Sequence, residues 1–185
     1  TPRKAGKYYF YTRNDGSQNQ SVLNVRDGLE GAPRILIDPN SWAKDGATAL
    51  AEWVPSNDGR WLVYAVQDGG TDWRTLKVIS VDTGAITQDE IRWVKFSSLA
   101  WKADGSGFYY SRFPEPEAGA TFRSVNLNQA VYFHALGTPK SADVKIYATP
   151  DKPRQSHSAQ VTDDGHYLMI TTAAGTDDRY ELTVG

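Results

Sequence analysis

Three stretches of the chain repeat one phrase: SNDGRWLVYAV (56–66), KADGSGFYYSR (102–112) and TDDGHYLMITT (162–172). Each places Asp-Gly ahead of a short apolar-aromatic run. A weaker copy, AGKYYFY (5–11), precedes them. Gly6, Gly59, Gly105 and Gly165 are 53, 46 and 60 residues apart, so one unit recurs about every 50 residues with variable insertions. Sequence repeats with this period mean a solenoid, a propeller or an array, and they constrain the fold before any single residue does.

The unit can be read from what flanks each copy. LAEW (50–53), SSLAW (97–101) and SAQV (158–161) come before the Asp-Gly pairs. QSVLNV (20–25), RTLKVISV (74–81), QAVYFHALG (129–137) and RYELTV (179–184) come after the aromatic runs. RILI (34–37) and VKIY (144–147) supply a further short run in two copies. Such β-branched and aromatic runs, bounded by Gly, Asp and Pro, read as strands. The unit is strand, Asp-Gly turn, strand, loop, strand, turn, strand. Four antiparallel strands per 45–50 residues is the signature of a β-propeller blade. The fold class is all-β, with approximate blades 1–48, 49–95, 96–152 and an incomplete 153–185, about 3.5 blades in all. Asp-Gly suits a tight hairpin, because Gly supplies positive φ and Asp tolerates the left-handed region. On this reading Asp58, Asp104 and Asp164 are turn chemistry. Helix signal is confined to a short turn near residues 41–45.

With 185 residues, 39% hydrophobic, the chain can bury a core. A net charge of −2 argues against a nucleic-acid or anionic-membrane partner. No apolar run approaches the roughly 18–20 residues of a membrane span. TPRKAGKYYF (1–10) lacks the apolar stretch of a signal peptide, and a chain beginning at Thr1 reads as a processed or excised piece. The absence of Cys excludes disulfides, thiolate metal sites and a Cys nucleophile, and leaves the compartment open between cytosol and bacterial periplasm. The sequon Asn19-Gln20-Ser21 carries little weight.

Catalytic signatures are missing. There is no Gly-x-Ser-x-Gly elbow, P-loop, Gly-x-Gly-x-x-Gly or His-Glu-x-x-His. His134 reads as packed within a strand, His157 as a loop residue and His166 as exposed after a turn. Acidic pairs such as Asp89-Glu90 and Asp163-Asp164 read as solvated turn residues. No cofactor or metal site is expected.

An ordered series of strings carries a resemblance over essentially the whole chain: YTRNDGSQNQ (11–20), DGLEG (27–31), LIDPN (36–40), GTDW (70–73), VKFSSLAW (94–101) and NQAVYFHALGT (128–138). Together they resemble the propeller of prolyl oligopeptidases, serine endopeptidases that hydrolyse short peptides after proline. The resemblance implies a seven-bladed ring, of which this chain is about the second to fifth blades. The ring covers an α/β-hydrolase domain of the same parent protein, which carries the catalytic triad. The propeller's part is to gate and line the cavity that receives a proline-containing oligopeptide.

By the same resemblance, Phe96 matches a phenylalanine of the substrate pocket beyond the proline site. Asp72 matches an acidic residue that pairs with the hydrolase domain. Ala173 stands where animal members have a pocket arginine, Thr176 where they have a cysteine, and Ser156 aligns near a pocket methionine. These departures imply a smaller, less charged outer subsite. The alternatives are a free-standing four-bladed binding module without enzymatic activity and the propeller of a related peptidase with basic-residue or dipeptidyl specificity.

Overall fold

Four antiparallel sheets account for every strand in the computed structural model, which describes residues 1–42, 47–119, 126–175 and 179–185. The first sheet orders β1 (Arg3–Ala5), β2 (Tyr8–Arg13), β3 (Val22–Asp27) and β4 (Arg34–Ile37) in sequence. The second orders β5 (Ala49–Pro55), β6 (Trp61–Gln67), β7 (Arg74–Ser80) and β8 (Ile86–Val94). The third has β9 (Leu99–Trp101), β10 (Gly107–Arg112), β11 (Ala130–Ala135) and β12 (Val144–Ala148). The fourth has β13 (Gln155–Val161), β14 (Leu168–Ala174) and β15 (Tyr180–Val184). Each sheet is a meander of sequence neighbours, as a propeller blade requires.

The chain divides into two compact units, Thr1–Gln88 and Asp89–Gly185. In the first, Phe10, Leu23 and Val25 of one sheet and Leu62, Tyr64 and Ile79 of the next form a single buried cluster. Trp53 flanks Phe10, with ring centroids 6.2 Å apart. Burying each such side chain contributes about 1.5–3 kcal/mol. In the second unit Val131, Ala159 and Ile170 fill the space between the third and fourth sheets.

The Asp-Gly hairpins are wider than a two-residue turn. Ser56 N donates to Trp61 O (2.8 Å), Lys102 N to Gly107 O (2.9 Å) and Thr162 N to Tyr167 O (3.0 Å), so four residues lie within each closing pair. In each copy the glycine N–H bonds back three residues, to Ser56 O, Lys102 O and Thr162 O. The Asp carboxylate then accepts the N–H two residues on: Arg60 N (3.0 Å), Ser106 N (2.9 Å) and His166 N (3.0 Å). Asp58, Asp104 and Asp164 are therefore structural. Only the Ala-Gly copy closes a two-residue turn, Gly6-Lys7, with Ala5 opposite Tyr8.

These glycines also set how closely neighbouring sheets meet. A Cβ on Gly6 would stand 2.0 Å from the Asp58 carbonyl oxygen, and one on Gly59 would stand 2.3 Å from that of Ala5. Two hairpin tips of the first unit thus interlock backbone to backbone. In the second unit a Cβ on Gly165 would stand 2.5 Å from the Ala103 methyl.

Three expectations are corrected. The short turn expected at residues 41–45 is a 3-10 turn at Pro39–Ser41, started by Asp38 accepting Asn40 N at 3.0 Å; residues 43–46 lie outside the described residues. Asp89-Glu90 is not a solvated turn but part of β8, where Asp89 and Ile91 are buried on alternate positions. His157 is not a loop residue: it lies in β13 and is buried.

The hairpin geometry makes a stability prediction. Gly84 shares a positive φ of 71° but has nothing within 4 Å of an added Cβ. Gly84→Ala should cost about 1–2 kcal/mol from backbone strain alone. Gly59→Ala should cost about 1–3 kcal/mol more, from the clash. Equal urea-unfolding midpoints for the two variants would remove the close approach as a constraint.

Candidate substrate-facing site

The loop from β8 to β9 contains Phe96, a residue 57% exposed whose backbone is left-handed (φ 54°). For a bulky side chain this conformation is an outlier that costs about 1–2 kcal/mol. Such strain persists only where surroundings over-determine it. Here they do. Gln129, 1% exposed, donates from Nε2 to the Phe96 carbonyl at 3.1 Å. Its Oε1 accepts the backbone N–H of His157 at 2.6 Å. One buried amide thus joins the Phe96 loop to the start of β13.

The two serines after Phe96 complete the anchorage. Ser97 Oγ accepts Ser111 N at 2.8 Å and donates to Ser98 O at 2.6 Å. Ser98 Oγ donates to Ala159 O at 3.1 Å and accepts Ala159 N at 3.0 Å. Ser111 Oγ donates to His157 O at 2.6 Å. Small hydroxyls suit this work, because each can donate and accept at once in a space too narrow for a longer side chain.

Ser156 and Ala173 are direct cross-strand partners on β13 and β14, both half-buried. Ser156 adjoins His157, which Gln129 ties to the Phe96 loop, so three predicted site residues lie at one end of the third and fourth sheets. Thr176 lies outside the described residues. Asp72 belongs to the first unit, where it stands exposed on the β6–β7 connection beside the Gly69-Gly70 bend. A cavity of about 370 Å³ opens near the ends of β10 and β12, walled by Arg112, Gln129, Tyr132, Lys140 and Lys145.

A second buried polar group supports the third sheet. His134 Nδ1 lies 2.6 Å from Asp143 Oδ1, and Nε2 lies 2.7 Å from Asp89 Oδ1. Asp89 also accepts Gly137 N at 2.8 Å, and Tyr110 donates its hydroxyl to Asp143. Arg112 donates to the Tyr110 hydroxyl at 2.9 Å and stacks over the Tyr132 ring at 3.7 Å. Burial of the ring opposes a charge on His134. The bonds to Asp143 and Asp89 outweigh it and raise the pKa above the ordinary value. His157 is held differently, with Nδ1 2.8 Å from Thr172 Oγ1 and no carboxylate partner among the described residues, and burial lowers its pKa.

The expectation that His134 is packed within a strand agrees with its burial in β11. The expectation missed that His134 is bracketed by two carboxylates. Period two in ITQDEIRWV (86–94), which places Asp89 and Ile91 on one face, was the available signal. Gln129 carried no signal of its own within NQAVYFHALGT.

The family profile described as prolyl oligopeptidase, N-terminal beta-propeller domain, matches residues 1–183. This chain belongs to that family. The prolyl endopeptidase of Elizabethkingia meningoseptica is 35% identical over 176 residues, which cover 95% of this chain and 25% of that protein. Prolyl oligopeptidase A of Galerina marginata is 32% identical over 191 residues, covering 88% and 25%. Among solved structures, one from a structural and mechanistic study of two prolyl endopeptidases superposes with a TM-score of 0.89 at 45% identity, over 99% of this chain and 25% of that one. Prolyl oligopeptidase B of Galerina marginata, bound to a 35mer hydrolysis and macrocyclization substrate, superposes with a TM-score of 0.86 at 28% identity, over 100% and 28%. The chain thus spans about a quarter of the length of these relatives. Membership in the prolyl oligopeptidase propeller family disfavours a free-standing binding module.

The pKa values of the two histidines should be displaced in opposite directions. His134 has a raised folded pKa, so its contribution to stability is full below the unfolded value of about 6.5 and is lost as pH rises through the folded value. His157 has a lowered one, so its contribution is present above about 6.5 and is lost as pH falls through the folded value. An NMR titration of the imidazoles should find His134 charged at pH values where His157 is neutral; the reverse order would contradict the bracketing.

Proposed function

We propose that this chain is the propeller portion of a prolyl-specific serine endopeptidase, and that it lines and gates the cavity in which short peptides are cut after proline. The catalytic triad is assigned to an α/β-hydrolase domain of the parent protein, outside these 185 residues. The observation that carries this reading is Phe96: a large apolar residue, 57% exposed, kept on a strained backbone by a buried amide. A protein does not ordinarily hold an aromatic outward at such a cost without a ligand for it. In this reading the ring forms an apolar wall for the residue beyond the substrate proline.

Ser156 and Ala173, cross-strand partners, stand in the outer subsite and bring no charge to it. Preference for residues away from the proline therefore differs from that of members with a charged pocket residue there. Asp72 pairs with a basic residue of the hydrolase domain. Asp72 is exposed in this chain; a rim ion pair of this kind contributes about 0–1 kcal/mol to stability, and its role is alignment and gating.

Steady-state kinetics on the parent enzyme test this directly. Phe96→Ala should raise KM roughly tenfold for proline peptides extended beyond the proline, in keeping with the loss of a buried aromatic contact. The kcat for a minimal proline substrate should stay within about twofold. An unchanged KM for the extended substrate would sink the substrate-wall role. The isolated chain should show no peptidase turnover, and turnover above background would overturn the assignment of the triad elsewhere.

A further inference from the structure

We infer that Gln129 is a positioning residue for substrate recognition, acting through the Phe96 backbone. This inference rests on the reading of Phe96 as a substrate wall. Gln129 is fully buried, and both ends of its amide are used. Nε2 donates to Phe96 O at 3.1 Å, and Oε1 accepts His157 N at 2.6 Å. The two bonds face opposite demands. The His157 bond is a tie between sheets, and Ser111 Oγ supplies a second tie to that residue, on its carbonyl, at 2.6 Å. The Phe96 bond holds the carbonyl of a residue in a left-handed conformation that its side chain disfavours.

Ser97 and Ser98 anchor the chain after Phe96, and Gln129 fixes the peptide unit of Phe96 itself. Without the amide donor, the carbonyl can rotate towards an ordinary conformation, and the ring turns away from its outward direction. Gln129 begins the segment that leads into β11, so the aim of Phe96 is set by a residue more than thirty positions later in the chain. Gln129 also walls the 370 Å³ cavity near the ends of β10 and β12.

The experiment uses the full-length parent enzyme and two proline substrates, one minimal and one extended beyond the proline. The readout is the ratio of their KM values. Gln129→Met keeps the shape and removes both bonds. It should raise the ratio about three- to tenfold at every pH, the equivalent of one lost hydrogen bond. Gln129→Glu keeps the acceptor for His157 but can donate to Phe96 only while its carboxyl is protonated. Its ratio should therefore climb with pH, which a merely structural loosening would not produce. Ser111→Ala removes a tie to His157 without touching the Phe96 carbonyl, and should leave the ratio within about twofold.

A shift in Phe96→Ala with none in either Gln129 variant would overturn the positioning role alone. An equal shift in Ser111→Ala and Gln129→Met would also overturn it, since general loosening would then account for both. No shift in Phe96→Ala would overturn the substrate-wall reading, and this inference with it.

Discussion

Close approach at the hairpin tips within each unit is the constraint on which the rest of this structure depends. Sheets that pack face to face leave room for side chains between them, but at the hairpin tips Gly6 meets Asp58, and Gly59 meets Ala5, backbone against backbone. Gly165 meets Ala103 in the other unit. A Cβ at any of these points has no space. The repeated glycine therefore does two jobs: it takes the left-handed backbone that the hairpin needs, and it removes the atom that would hold neighbouring sheets apart. The aspartate beside it bonds the N–H two residues on and keeps the tip in one shape.

Tight meeting at one end directs the strands and leaves their other ends to the longer connections. It is there that the β8–β9 loop presents Phe96. Paired polar groups lie beneath it: Ser97, Ser98 and Ser111 bond across to neighbouring strands, and His134 sits between Asp89 and Asp143. Buried polar groups left unpaired would each cost about 1–3 kcal/mol, and paired groups specify one arrangement. The rigid support lets a strained residue persist at the surface, which is the condition for an outward aromatic to serve recognition.

Most of the strand plan was legible, because each Asp-Gly pair marks the same step of the same unit. The strand β8 was not, since its two acidic residues imitate a turn and its buried aspartate has its partners, His134 and Gly137, more than forty residues away. His157 was misplaced for a related reason: the Gln-Ser-His-Ser run before Ala159 is polar, and its place in a strand interior depends on pairing with β14, a cross-strand bond to Thr172 and the tie from Gln129. At the site, the resemblance pointed to Phe96 and Ser156. Nothing in Lys95-Phe96-Ser97 signals a left-handed backbone, and nothing in Asn128-Gln129-Ala130 says which carbonyl the amide will hold. Those facts exist only in the contact between distant segments.

The central claim is that Phe96 faces the bound peptide. A proline peptide carrying a photoreactive group on the residue beyond the proline, irradiated on the full-length parent enzyme and mapped by mass spectrometry, tests it most directly. The account predicts a label on the fragment that contains Phe96, lost when an unlabelled proline peptide competes. Labelling confined to sequence outside these 185 residues would contradict it.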